Sequence, residues 1–350
     1  MRSLFATVLI LICFATYSLS GATQSSVGEK KLNHDPEAAQ LITSDIDNFW
    51  VAYDRAAKSP NPGVAFQLQY FDKGSAGLLA FKRARIDQCA LAETVARYPG
   101  YYDSIRASTL RIPSMKEQIR ASFRKLKELY EPAVFPDVYF LIGCRNSGGT
   151  TADAGLLIGA EMYGRTPDTP EREMDDWLKA VTKPVELIPH IVAHELIHYQ
   201  QKYSPAAKLT LLAASITEGS ADFVGELISG KHINTNLHDY GNPREAELWA
   251  VFKAEMDGSK TSNWLYQGEQ AKGRPADLGY YVGYKICEAF YKNAADKKQA
   301  VKEILEIKDF KKFLADSGYE KKFGGVSVRT EVTNSVQSNW AFDAGSRAMV

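Results

Sequence analysis

Hydrophobic residues recur at helical spacing over most of the chain. In the first strongly patterned segment, residues 45–57, Ile46, Phe49, Trp50 and Tyr53 fall on one face of a helix. The same spacing predicts further helices at about 63–71, 77–96, 115–130, 189–202, 206–228, 244–256, 278–294 and 298–315. We therefore expect a chain in which helix dominates.

The period changes to that of a strand near the middle of the chain. Residues 138–142 are a short apolar run rich in β-formers, 146–150 have turn composition, and 154–160 are apolar again. This order predicts a hairpin of two strands. The predicted fold class is thus α+β: one mostly helical domain at 23–325 with a small β-sheet.

The N-terminus has the pattern of a secretory signal peptide. Arg2 is followed by an apolar stretch of signal-peptide length, residues 4–14, and then by small residues up to about 22. Ile12 stands where a lipoprotein signal needs a small residue before Cys13. We expect a cleaved signal at 1–22 and a periplasmic or secreted protein, with an uncleaved N-terminal anchor as the alternative. Residues 326–350 lack periodicity and predict a poorly ordered tail.

Charge and cysteine content exclude several classes of protein. The 42 basic and 42 acidic side chains cancel, so the chain has no overall field to hold nucleic acid. No segment after residue 22 is apolar enough to predict a membrane span. Removal of the signal leaves three cysteines, which allow at most one disulfide, and no CxxC spacing predicts a cysteine-based zinc site.

One short motif carries chemistry. His194 and His198 are the histidines of an H-E-x-x-H sequence inside the predicted helix 189–202. Residues four apart lie on one helical face, so both imidazoles can reach one metal ion. Glu195 lies beside that face, close enough to contact a metal-bound water without binding the metal.

A second acidic segment supplies a third ligand. Glu218 follows His198 by twenty residues on the next predicted helix, and Asp222 comes one turn later. Two histidines and one glutamate leave an open position on zinc, and Asp222 can orient a ligating histidine as a supporting residue outside the ligand set. Two alternatives remain at this point: Glu218 with Ser215 forms a helix capping box, and Asp222 is an ordinary surface acid. His190 fits a supporting residue better than a fourth ligand.

These motifs resemble those of a known group of enzymes. His194-Glu195-x-x-His198 followed by Glu218-x-x-x-Asp222 is similar to the zinc signature of the gluzincin, thermolysin-like metallopeptidases. The local sequence is closest to predicted zinc-dependent proteases of the DUF2268 type. The signature spans about 189–230, with looser similarity at 45–50 and 279–284. The resemblance implies one Zn²⁺ per chain and a gluzincin-like fold with the sheet beside the active-site helix.

The resemblance also implies roles for other segments. An edge strand at 154–161 would hold an extended peptide by main-chain hydrogen bonds, unless the predicted hairpin is purely structural. Tyr284 or Tyr280 would stabilise the oxyanion, although both also fit an aromatic core. His232 and His238 are weaker candidates for that role.

The function expected from these features is that of an exported zinc metallopeptidase, a hydrolase acting on a peptide or protein substrate. Zinc held by His194, His198 and Glu218 would activate water, and Glu195 would be the general base. The alternative is a zinc-holding binding or interaction protein of the periplasm or cell surface without turnover. A third possibility is a protein that holds no metal.

Overall fold

A computed structural model describes residues 32–87, 89–204 and 210–323 of the chain. The predicted signal segment and the predicted tail lie outside the described residues. The described part is mostly helical and contains a small four-stranded sheet, so the predicted α+β class is confirmed. None of the helices in this part is both long enough and apolar enough to cross a bilayer.

Fourteen α-helices lie in the described part of the chain. They are α1 Ser44–Ala56, α2 Pro62–Phe66, α3 Ala76–Phe81, α4 Leu91–Arg97, α5 Pro99–Thr109, α6 Lys116–Leu129, α7 Asp176–Val181, α8 Ile188–Gln200, α9 Leu211–Ser229, α10 Thr235–Gly241, α11 Glu245–Glu255, α12 Leu278–Asn293, α13 Lys297–Leu305 and α14 Phe310–Ser317. Two π-helical turns, Gln67–Phe71 and Lys82–Ile86, continue α2 and α3 directly.

Most predicted helices are present, and the differences have local causes. The predicted helix 298–315 is divided into α13 and α14, because Asp309 accepts hydrogen bonds from the first amides of a new helix. Helix α5 was not predicted, since its Pro99-Gly100 start resembles a chain break. Proline at the first helical position is compatible with a helix, because its missing N–H has no intrahelical partner there.

The sheet has the strand order β1-β2-β4-β3, where β1 is Leu41–Ile42, β2 Val138–Leu141, β3 Gly149–Ala152 and β4 Gly155–Gly159. Strands β2 and β4 run parallel, with Val138 opposite Leu156. The hairpin is formed by β3 and β4, with Thr150 opposite Leu157. The predicted hairpin of 138–142 with 154–160 is therefore wrong: a further strand, β3, lies between them and begins at Gly149 and Thr150, the last two residues of the segment that resembled a turn.

The strand expected at the sheet edge lies inside the sheet. All residues of β4 are buried, and β2 and β3 flank it. The edge belongs to β3, a short and partly exposed strand of small and polar residues. Helix α8 packs against β3 and β4, and α1 and α3 pack against β2. The sheet thus lies beside the helix that carries the H-E-x-x-H motif.

A disulfide joins Cys89 to Cys144. It connects the segment before α4 to the loop that follows β2. Cys287, on α12, is buried and free. The single bridge permitted by three cysteines is therefore present, and it restrains the loop that leads into edge strand β3.

Candidate metal site

Helix α8 brings two histidines together. Pro189 lies in its first turn, and the apolar side chains of Ile188, Val192 and Ile197 are fully buried against the rest of the protein. His194 and His198 follow on one face, with their Nε2 atoms 3.1 Å apart. Both imidazoles therefore present the same ring nitrogen to one point.

Glu218 comes from the neighbouring helix α9. That helix starts after Thr210, whose Oγ1 accepts a hydrogen bond from the Ala213 amide at 3.2 Å. Glu218 therefore lies in mid-helix, and the capping-box alternative is wrong. Its Oε2 lies 3.2 Å from His198 Nε2. One ligand atom from each of His194, His198 and Glu218 lies within 4.8 Å of the others.

This geometry fits a zinc ion. Tetrahedral zinc with bonds of about 2.0–2.2 Å places its ligand atoms roughly 3.3 Å from one another. The separations of 3.1 Å between the two histidines and 3.2 Å between His198 and Glu218 agree with that requirement. The two histidines and the glutamate also form a three-ligand donor set of the kind found in zinc sites with an open fourth position.

The second nitrogen of each imidazole has a partner of its own. His198 Nδ1 lies 3.1 Å from Gln201 Oε1, and Gln201 Nε2 donates to the Thr217 carbonyl on α9 at 2.7 Å. His194 Nδ1 lies 2.8 Å from Asp222 Oδ1, which is off the N–H direction, so this contact is electrostatic rather than a straight hydrogen bond. Asp222 is 3% exposed and accepts a hydrogen bond from Asn234 Nδ2 at 2.8 Å. It is therefore no surface acid.

The other oxygen of Glu218 is also held. The Tyr266 hydroxyl donates to Oε1 at 2.6 Å, which leaves Oε2 facing the histidines. Burial alone would raise the pKa of Glu218, but the two histidines and Tyr266 outweigh it and lower this pKa to about 2. Burial would lower the pKa of His198, but mainly Glu218 raises it to about 9. Without metal the pair is therefore charged, and a metal ion held by these residues would displace the proton of His198.

Glu195 lies next to the cluster without joining it. Its carboxylate is packed against the edge strand: a Cβ added at Gly149 would lie 2.2 Å from Glu195 Oε1. A larger residue at this position of β3 would require the Glu195 side chain to move. The structure thus places Glu195 against edge strand β3, where its charge also acts on His198.

The other candidates lie around the site rather than in it. The Tyr280 ring is nearly parallel to that of His194, with centroids 6.3 Å apart. The Tyr284 hydroxyl donates to Glu226 at 2.7 Å, and its ring contacts those of His232 and His238. The hydroxyl of Tyr284 is therefore engaged by Glu226. His190 is buried on α8, outside the cluster of three ligands.

Sequence reasoning missed three residues that support the ligands. Gln201 follows His198 by three positions, so its proximity to Nδ1 could have been read from helical spacing. Asn234 and Tyr266 arrive from loops after α9 and before α12. No periodicity in the sequence points to them.

Comparison with known proteins gives one match. The model of the family GldB_lipo, described as gliding motility protein GldB, matches residues 97–321, which is more than half of the chain. The matched segment includes all three candidate ligands. Neither a curated protein nor a solved structure matches the chain.

The family match overturns two expectations. The chain is not shown to be a DUF2268-type or gluzincin protease, and the expected peptidase function, which rested on that resemblance, is wrong. The reason lies in what the motif requires. H-E-x-x-H fixes three residues that place two imidazoles on one helical face, and any protein that holds a metal can use this arrangement without hydrolysing a bond.

Proposed function

Because the chain belongs to the gliding motility protein GldB family, we propose that it is a metal-holding interaction protein of the cell envelope that serves gliding motility without turning over a substrate. The observation that carries the metal-binding part is the buried cluster of His194, His198 and Glu218. One Zn²⁺ would be held by these three side chains, with Gln201 and Asp222 orienting the imidazoles.

The metal would contribute in two ways. It would join α8 to α9, and it would offer an open position to an oxygen or nitrogen donor of a partner. Two of its ligands come from α8 and the third from α9, so metal loss would replace the bonds to the ion by the ion pair of His198 with Glu218. The surface offered to a partner would therefore have a shape that depends on whether the metal is bound.

Export to the envelope is supported by two observations. The family label names a lipoprotein, and the first 22 residues have the composition of a signal peptide. We propose a periplasmic or cell-surface location for the mature protein.

The first test is metal content. Untagged protein, purified from the exported fraction, should contain one zinc per chain by elemental analysis. His194→Ala and His198→Ala should each release it, because a site with two remaining ligands loses most of its affinity. Equal zinc content in the wild type and both variants would contradict the metal site.

The second test separates interaction from turnover. Glu195→Gln keeps the size of the side chain and leaves the three ligands intact, so it should retain zinc. In the source organism, this variant should support colony spreading as the wild type does, whereas His198→Ala should not. If Glu195→Gln abolishes spreading while it retains zinc, the site needs a carboxylate that acts on a proton, and the non-catalytic proposal fails.

A further inference from the structure

A cavity of about 250 Å³ adjoins the metal site. His194 and Tyr280 form part of its wall, and Ile233 and Leu237 supply apolar surface. Lys183, from the loop between α7 and α8, lines the same space. The cavity thus combines one ligand of the proposed metal, an apolar wall and a lysine.

Lys183 lacks a counter-ion in the described part of the chain. The salt bridges found there do not include it, and its ammonium group donates to the Ala180 carbonyl at 3.2 Å. The side chain is half-buried, and burial, helped by nearby Arg165 and opposed by Asp222, lowers its pKa. A partly buried ammonium group gains most from an anion that replaces its lost hydration.

The acidic residues near the cavity are already engaged. Asp277 lines it, but its Oδ1 accepts a hydrogen bond from the Gln267 amide at 3.0 Å. Asp222 contacts His194 and Asn234. Lys183 is therefore the charged group in the lining that remains available to a ligand.

We propose that this cavity binds a carboxylate with an apolar body, the carboxylate pairing with Lys183 and the body lying against Ile233 and Leu237. The inference deepens the proposed function and rests on it for the metal, whose positive charge on His194 would strengthen binding. Two sources share this chemistry: a free organic acid and the C-terminal carboxylate of a protein chain.

The test measures binding of two pairs of probes to the full mature protein by isothermal titration calorimetry. Hexanoate and hexanamide represent the free acid, and N-acetyl-leucine and N-acetyl-leucinamide represent a chain end. Each acid should bind more tightly than its amide. Lys183→Met should weaken binding of the acids about 10- to 100-fold, the usual effect of losing one charge-assisted hydrogen bond.

A neighbouring lysine supplies the control. Lys179 lies on α7, outside the lining, with its ammonium group 3.7 Å from Asp176. Lys179→Met removes the same charge and should leave the affinity of the acids unchanged. The tighter-binding acid identifies the source of the carboxylate.

Two results would overturn the inference: amides that bind as well as acids, or acids that bind Lys183→Met as they bind the wild type. Absence of binding by any probe would overturn it too. Zinc content, measured on the same samples, tests the proposed function separately. A protein that lacks zinc but binds acids through Lys183 would contradict the metal proposal and retain the carboxylate site.

Discussion

The two histidines of the site are oriented by contacts on the side away from the metal. Gln201 occupies Nδ1 of His198, and Asp222 lies at Nδ1 of His194. An oxygen beside Nδ1 favours the tautomer with the proton there, which leaves Nε2 available to a metal ion; at His194 this preference is electrostatic, because the contact is not a straight hydrogen bond. The three candidate ligands are therefore arranged by contacts within the protein alone.

Substitution of Asp222 tests this arrangement. Asp222→Asn removes the charge beside Nδ1 of His194, and it should weaken zinc affinity about 10- to 100-fold, the usual range for residues that support a ligand. Competition with a zinc chelator measures the change. Asp239→Asn, an exposed acid on α10, is the matched control. Equal affinities for wild type and Asp222→Asn would show that the contact at 2.8 Å has no role in metal binding.

At the scale of single residues, part of the candidate site could be predicted from the sequence. His194, His198 and Glu218 could be predicted because helical spacing fixes two of them and a neighbouring helix offers the third. Tyr266 could not be predicted, because it is 48 positions from Glu218 in the sequence and its own backbone has a positive φ of 57°. The expected role of Tyr284 stays a prediction, and its hydroxyl donates to Glu226, a residue that no sequence pattern linked to it.

Among the helices, α9 and α12 approach each other unusually closely. A Cβ added at Gly283 would lie 1.8 Å from the Ser215 carbonyl oxygen, and one added at Gly219 would lie 2.1 Å from the Tyr284 backbone nitrogen. Backbone thus touches backbone on both sides of the interface. The structure thus identifies α9 as the helix against which Gly283 packs.

Gly283→Ala should therefore destabilise the protein. The new methyl group must push α12 away from α9, and overpacking of this kind costs about 1–3 kcal/mol, which exceeds the gain of about 1 kcal/mol from alanine in a helix. Urea unfolding measures the difference. Gly63→Ala is the control, because the Cβ there would meet nothing nearer than 3.5 Å. An unchanged unfolding midpoint for Gly283→Ala would mean that the interface adjusts freely.

The sheet shows where element prediction fails. Strands β2 and β4 were recognised as apolar runs, but β3 is Gly-Thr-Thr-Ala and resembles a turn. Because β3 was omitted, β2 and β4 were expected to pair antiparallel, whereas they run parallel, and β4 was expected at the edge of the sheet. Tertiary context, namely the packing of β3 against α8 and its pairing with β4, makes this weakly patterned segment a strand.

For the molecule as a whole, one buried carboxyl group should contribute to the pH dependence of stability. Glu161 is fully buried after β4, and burial, despite hydrogen bonds from backbone amides such as that of Arg145, raises its pKa to about 7. The folded protein then binds more protons than the unfolded chain between its unfolded pKa of about 4.5 and 7. Stability should fall as the pH rises through this window, by roughly 3 kcal/mol.

The measurement is urea unfolding at pH 5 and pH 8. The wild type should lose stability over this interval, and Glu161→Gln should lose less, since its amide does not titrate. Glu128→Gln, on the exposed face of α6, should behave like the wild type. An identical pH dependence in Glu161→Gln would assign the effect to other groups.

The fold class was predictable from the sequence, and the function was not. The spacing of apolar residues indicates which face of a segment is buried, and therefore it identified the helices around the site. H-E-x-x-H reports how two imidazoles are placed, and the same placement serves a protease or a protein that only holds an ion. The match over residues 97–321 to the gliding motility family decides against the peptidase, and no single motif could have done so.

The close contact of α9 with α12 has a consequence for the choice of ion. Glu218 and Gly219 are adjacent on α9, so the helix that supplies the third ligand is held by backbone contacts on α12. An ion with longer bonds, such as calcium at about 2.3–2.6 Å against about 2.0–2.2 Å for zinc, would have to force α8 and α9 apart. If the proposed metal is bound, the glycines of the α9–α12 interface would thus limit the radius of the ion held between α8 and α9.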